Sequence, residues 1–461
     1  MKKVIIKTAP VKVFLMMVLL LFSVFGCKKS NDEINSGKNI LLADDIASGT
    51  NVLNANAQVA HDWYRLQLSF LLERNSTLAG NAFGFLGIGL YESVRYGIKN
   101  AVSFSSVINQ MPAMPDKENN NGYHWGISAN AAMAAMLRSF NTGLTPANNA
   151  AIDELEKKYN DALKPAAGSA SFERSQAYGR EIAKAIYNWY LTDQYYASNI
   201  GYIPPVDPAG VYRLWKPTPP ANVPVPIFPY LGTSSTFLSV HTSLSAPAFP
   251  IAYSGIPGSP FYNMVKEVYD VNAALTQDQK NTALYWIDQG NSVGYTPNGH
   301  DIFLVVQALE QNGANLGLSA EAYAKAGIAQ RDGSIVTFRS KYAAANNMIR
   351  PVSYIQAIIQ PGWLPFIPTP PHPEYPAAHS GVTGSVMQAV AKVIGEDVPV
   401  TDAIYLFRGF PARTFPNLFA AAEEAGISRL YGGIHYRISI NAGLDLAKVV
   451  GNNVGNISIR K

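Results

Sequence analysis

Residues 373–393 read PEYPAAHSGVTGSVMQAVAKV. Pro373 and Pro376 end whatever precedes them, because proline lacks an amide donor and disfavours helix at the residue before it. Val382, Val386, Val390 and Val393 then recur at three- and four-residue spacing, the mark of one buried helix face. The segment therefore predicts a helix opening near His379. At such an opening, unpaired first-turn amides and the helix dipole favour an anion. The same periodicity extends outward along the chain. Trp63, Leu66 and Phe70 share a face, as do Phe83, Leu86, Leu90 and Val94. Thr145-Pro146 is a capping residue followed by a first-turn proline, ahead of Ile152, Leu155 and Tyr159. Ile182, Ile186 and Trp189 continue the pattern, and Thr276 with Gln279 forms a capping box before Ala283, Trp286 and Ile287. Alternation of period two is scarce. The class is all-α.

Two stretches break the helical pattern. Tyr202 to Pro260 contains WKPTPPANVPVPIFPYLG at 215–232, and prolines at this density exclude helix interiors and central strands. Its aromatic residues call for burial, so it reads as an ordered crossover. The expected layout is an N-terminal helical half over 51–200, the crossover over 201–260, and a C-terminal helical half over 261–461. Pro361 to Pro376 is the second such stretch, and it leads into the segment quoted above.

The N-terminus is a targeting signal rather than part of the fold. Lys2, Lys3, Lys7 and Lys12 precede an apolar run from Val13 to Phe25, which ends in Val24-Phe25-Gly26-Cys27. That run is short for a membrane span. Cys27 is the only cysteine among 461 residues, so no disulfide forms within the chain. The pattern reads as a bacterial lipobox: residues 1–26 a lipoprotein signal peptide, Cys27 the lipidated residue, and 27–50 a polar tether. The expected location is the cell envelope, with Lys28 favouring the outer membrane. Removing the signal lysines brings the net charge from +4 to near zero, which leaves no electrostatic case for nucleic acid.

Three C-terminal segments carry cations and histidines suited to a tetrahedral oxyanion. They are Lys341 to Arg350-Pro351, Glu374 to Gly381 around His379, and Ser428-Arg429 through Gly432-Gly433 to His435. Gly432-Gly433 gives a tight turn, so His435 opens a further helix with Ile438, Ala442 and Leu446 facing inward. Arginine suits the role because its fixed fork of donors matches oxyanion geometry. Taken singly, each residue has a plainer reading, as a cap, a helix end or a surface ion pair. His300 after TPNG and His372 in the proline loop read as turn residues. The joint occurrence of the three segments, in order, points to one pocket.

That triple pattern resembles the signature of the vanadium haloperoxidase and type 2 phosphatidic acid phosphatase superfamily. FGFLGIGLYESV, WKPTPP, TALYWIDQGNS and YTPNGH are similar to the long N-terminal part of bacterial haloperoxidase-like proteins. The resemblance covers about residues 55 to 455. It implies helical bundles of the vanadium chloroperoxidase and acid phosphatase type, with long Pro-rich loops. It further implies that His435 bonds vanadium, or attacks phosphorus in a phosphatase, and that His379 is the acid–base histidine. Arg350, Arg429 and Lys341 would surround the oxyanion, with Ala378, Ser428 and Gly433 completing the set. Vanadate is the implied cofactor, with peroxide and halide, or a small phosphate ester, as substrates. A phosphatase and a non-catalytic oxyanion-binding lipoprotein remain alternatives to the haloperoxidase. The chain departs from the family pattern at four points. Lys341 lies nine residues before Arg350 rather than seven, which on one continuous helix turns it about 180° away. Ala377 and Ala378 replace a Ser-Gly pair, and Ser439 stands where the phosphatases often carry an orienting Asp.

Overall fold

The computed structural model describes residue 52 and residues 55–74, 79–118, 122–289 and 294–461. The expected signal peptide, Cys27 and the tether lie outside the described residues. Thirteen helices are present among those described. They are α1 Gln58–Arg74, α2 Ala79–Val94, α3 Trp125–Phe140, α4 Pro146–Ala167 and α5 Ser169–Tyr190. After the crossover come α6 Pro260–Ala273, α7 Gln277–Tyr285, α8 Pro297–Gln311, α9 Leu316–Tyr342 and α10 Pro351–Ile358. The series ends with α11 Ala378–Ile394, α12 Leu418–Tyr431 and α13 Arg437–Gly455. One antiparallel pair, β1 Val400–Asp402 against β2 Arg413–Phe415, sets Asp402 opposite Arg413. The fold is all-α, as the periodicity required.

Capping chemistry starts the helices where the sequence placed it. Thr145 accepts from the Asn148 amide with Pro146 at the first helical position. Thr276 and Gln279 form both halves of a capping box. That helix stops at Tyr285, so Trp286 and Ile287 lie just past its end rather than within it. The core is organised around α9, which packs on α2, α11 and α13 and is buried along most of its length. Its approach to α2 is set by glycine. A Cβ at Gly87 would lie 2.3 Å from the Tyr323 carbonyl oxygen, and one at Gly327 would lie 2.4 Å from that of Phe83. Backbone meets backbone here, so a side chain at either position forces the two helices apart.

The crossover is ordered, as its aromatics demanded: Trp215 and Phe237 are buried. Hydrogen bonds to the helical body replace internal regularity. The Ile227 amide donates to Pro371 O at 2.9 Å, and Ile349 N to Arg213 O at 2.7 Å. The amides of Phe237 and Leu238 donate to the Asp332 carboxylate at 2.7 and 3.0 Å. Among the described residues no helix is long and apolar enough to cross a membrane.

Candidate functional site

Two of the three C-terminal segments and the second proline loop line a cleft of about 450 Å³, while Arg350, of the first segment, stands behind it on His435 and His372. Ala378, His379, Arg429 and His435 line it, together with Asp288 and His372. His379 enters on the first turn of α11. The residue before that helix is Ala377, whose side chain offers no cap, so the first-turn amides keep their capacity for an anion.

His435 stands two residues before α13, not at its first turn. The carboxylate at that helix start is Glu374. It accepts from the Tyr436 amide at 2.8 Å, from the Ser439 hydroxyl at 2.5 Å, and from His435 Nδ1 at 2.8 Å. Glu374 is close to His379 in sequence but orients His435 in space. It thereby supplies the orienting carboxylate that Ser439 does not, and Ser439 anchors it. Burial pushes the Glu374 carboxyl up to about 7, against the pull of the Ser439 and Tyr436 donors and of Arg350. Burial, with the charges of Arg350 and Lys341, holds the His435 imidazole neutral. With its proton on Nδ1 for Glu374, the Nε2 lone pair is free to accept, and Arg350 donates to it at 3.0 Å.

Arg350 is the residue before the start of α10 and is fully buried. Its other donors reach His372 O at 2.8 Å, Ile434 O at 2.9 Å and the His372 ring at 3.0 Å. Burial brings its guanidinium down to about 10, still cationic at neutral pH. Arg429, also lowered to about 10 by burial, donates to Ser428 Oγ at 2.9 Å and to the Trp286 carbonyl. That second bond ties α12 to the segment carrying Asp288.

Around His379 the structure adds residues that the motif reading passed over. Its Nε2 is buried, 3.5 Å from Asp288 Oδ2, and has no full hydrogen bond. Burial, and then Arg429, lower its imidazole to about 4, with Asp288 opposing. Asp288 also accepts from the Tyr405 hydroxyl at 2.7 Å and contacts His300 Nδ1 at 2.8 Å. His300 Nε2 meets Asp402 Oδ2 at 2.7 Å, and Trp286 stacks on the ring at 4.3 Å. Burial works against a charge on His300, but the two carboxylates outweigh it and raise the imidazole to about 10. The result is an alternating row: neutral His379, anionic Asp288, cationic His300, anionic Asp402. His300 and His372 are therefore buried network members rather than turn residues.

The remaining expected residues stand behind the cleft. The Lys341 ammonium donates to the carbonyls of Pro373 at 2.9 Å and Glu374 at 3.0 Å, and burial lowers its pKa well below the usual range. The chain from the end of α9 at Tyr342 to Arg350 is not helical, and Lys341 holds the proline loop instead of lining the cleft. Ser428 donates to Ala425 O at 2.6 Å while accepting from Arg429. Gly433 has φ +78°, and its amide donates to Leu430 O at 2.9 Å. Lys341 thus fixes the proline loop, Ser428 fixes Arg429, and Gly433 shapes the turn into His435.

The surroundings fit a tetrahedral oxyanion: the buried Arg429 guanidinium on the cleft, Arg350 behind it on His435 Nε2, and an uncapped helix start. No group of three or more His, Cys, Asp or Glu suited to a metal cation occurs among the described residues.

Comparison with known proteins bears on the fold that carries these residues. A family model described as the VCPO second helical-bundle domain matches residues 321–460. The crystal structure of the first bacterial vanadium-dependent iodoperoxidase is similar, with TM-score 0.77 and 26% identity over 88% of this chain and 98% of that one. A holo-type bacterial vanadium-dependent chloroperoxidase shares the fold, at TM-score 0.58 and 15% identity, over 81% of this chain and 90% of its own. The search of curated proteins finds no match. The chain thus carries the second-bundle signature over its C-terminal third and is similar along most of its length to a bacterial vanadium-dependent iodoperoxidase, which supports a likeness to the vanadium haloperoxidases.

Proposed function

We propose that the cleft binds vanadate through His435 and oxidises halide with peroxide. The observation that carries this reading is the meeting of His379, His435 and Arg429 on one cleft, with Arg350 already on His435 Nε2. When bound, vanadate supplies a Lewis-acidic centre that makes peroxide oxygen susceptible to halide attack. The chain's own residues supply the rest. Glu374 keeps the His435 proton on Nδ1, so Nε2 presents its lone pair to the ion. Arg350 then exchanges its bond to that lone pair for one to an ion oxygen. Arg429 and the first-turn amides of α11 balance the remaining negative charge, in a site where little water dilutes the attraction. His379 is neutral at physiological pH and able to take a proton from incoming peroxide. Asp288 waits at its Nε2 to stabilise the imidazolium so formed, through a contact that tightens when the ring gains charge.

The test is vanadate titration of the purified protein by calorimetry, followed by peroxide-dependent iodination and bromination. Saturable binding with turnover is expected, lost in His435→Ala. Tight binding without turnover would leave a non-catalytic oxyanion binder. A second reading draws on one observation: Glu374 gives His435 the orientation that a nucleophile requires. On that reading the cleft hydrolyses small phosphate esters. Hydrolysis of an aryl phosphate, inhibited by vanadate and abolished in His379→Ala, would favour it over the haloperoxidase.

A further inference from the structure

The helices that carry the cleft also enclose a polar layer behind it. Asn298 on α8, Ser334 on α9 and His379 on α11 line the cleft, and these three helices pack on one another. Asp301, Gln330 and Thr383 stand three or four residues away on the same helices, the spacing that stacks side chains on one helix face. All three are buried and none lines the cleft, so they form a layer about one helical turn, roughly 5.4 Å, deeper.

Asp301 is the anomaly in that layer, because neither of its carboxylate oxygens completes a hydrogen bond. Thr383 and Gln330 lie close enough to ease its charge, yet burial outweighs them and raises the carboxyl to about 7. His300 also eases it and Asp288 opposes, but those two groups are committed to each other. On α9, Arg331 is paired with Asp193 and Asp332 with His241. Gln330 adds a further unanswered acceptor. Its Nε2 donates to Asn298 O at 2.9 Å, which fixes the amide, and its Oε1 is buried without a partner. A proton on Asp301 would complete one hydrogen bond and leave at least one of these three oxygens bare. A small cation answers several together, and oxygen-only surroundings with a single carboxylate suit a hard ion of single charge.

We propose that the Asp301 carboxylate, Gln330 Oε1 and the Thr383 hydroxyl form a binding site for a sodium-sized monovalent cation at the junction of α8, α9 and α11. The ion neutralises the buried carboxylate and ties together the helices that present Asn298, Ser334 and His379 to the cleft. The site is independent of vanadate, and its test needs none.

The experiment is melting of the full chain at about pH 8.5, where a carboxyl raised to about 7 holds little proton. Sodium chloride is replaced stepwise by choline chloride at constant ionic strength. The parent should melt higher in sodium, with a saturable dependence on its concentration, and should broaden the sodium NMR signal. Asp301→Asn keeps the shape, removes the charge and should lose both responses. Thr383→Val removes one neutral ligand and should raise the sodium concentration at half-effect about tenfold. A parent that melts alike in sodium and choline overturns the inference. So does a sodium response that survives in Asp301→Asn or is unshifted in Thr383→Val, since the ion would then sit elsewhere. Parent stability that ignores sodium and falls as pH rises from 3.8 to about 7, with no such fall in Asp301→Asn, gives Asp301 a proton in place of the cation and overturns it as well. Should Asp301→Asn fail to fold, the parent's sodium response and its shift in Thr383→Val decide.

Discussion

Replacing Glu374 with glutamine isolates the charge that orients His435. One glutamine oxygen can still accept from His435 Nδ1 and the Tyr436 amide, both at 2.8 Å in the parent. The new amide group faces Ser439 Oγ, which turns to accept. Only the charge is lost. A hydrogen bond to a charged group contributes about 1.5–3 kcal/mol and one between neutral groups about 0.5–1.5, so the difference is about 1.5 kcal/mol, or roughly tenfold in ion affinity. Burial raises the Glu374 carboxyl to about 7, so the parent gains this charge as pH rises through neutrality. The affinity ratio of parent to Glu374→Gln should therefore be near unity at about pH 5.5 and approach tenfold at about pH 8.5, the ion's own protonation cancelling in the ratio. Stability moves the other way. A carboxyl with a raised folded pKa contributes stability that is present below its unfolded value near 4.5 and lost as pH rises through about 7. The glutamine variant escapes that loss and should melt no lower than the parent at alkaline pH. Glu374→Ala is less informative, because it strands three buried donors at about 1–3 kcal/mol each, against a total stability of about 5–15 kcal/mol. Vanadate calorimetry across this pH range, with melting curves, checks the reasoning. A ratio that stays flat with pH would refute it.

Other perturbations test the second network and the N-terminus. His300 is raised from 6.5 to about 10, so its charge contributes stability that is full below about pH 6.5 and lost as pH climbs to about 10, on the order of 3–5 kcal/mol. His300→Gln should flatten the decline in melting temperature over that window, and a parent curve already flat there would contradict the assignment. Asp288→Asn should leave vanadate affinity within a few-fold but slow halide oxidation about tenfold to a hundredfold, because the His379 imidazolium loses its anionic neighbour. Equal rates in parent and variant would remove Asp288 from the mechanism. Cys27→Ser should abolish incorporation of labelled fatty acid and move the protein out of the membrane fraction. Retained label would place the lipid elsewhere.

Helices and caps were legible because their signals are local: Thr145 and Thr276 cap through residues three positions on. His379, Arg429 and His435 were legible because two separate segments each presented a histidine or arginine beside a turn or a helix end. The row behind His379 was not legible: Asp288 and His300 are twelve residues apart but on either side of a helix start, and Asp402 lies 102 residues beyond His300, so only tertiary packing joins them. The turn chemistry of TPNG is real: Thr296 caps α8 and Pro297 opens it. Nothing in that local pattern says that the helix runs inward and buries His300. Glu374 stands close to His379 in sequence, but local pattern does not say which histidine it bonds, and packing gives it to His435. Lys341 was judged on the premise of an unbroken helix, which the stop at Tyr342 removes.

The glycine contact between α2 and α9 bears on how this protein can be dissected. The stretch matched by the second-bundle model begins at residue 321, inside α9, past the point where that helix starts. A fragment cut there would lose the opening turn of its central rod. It would also bare a groove at Gly327 shaped to receive peptide backbone rather than side chains. Such a surface has no apolar cover of its own and invites self-association. Expression trials aimed at a minimal piece carrying the cleft should therefore keep the N-terminal helices, and sequence boundaries drawn from homology alone are a poor guide to where this molecule can be divided.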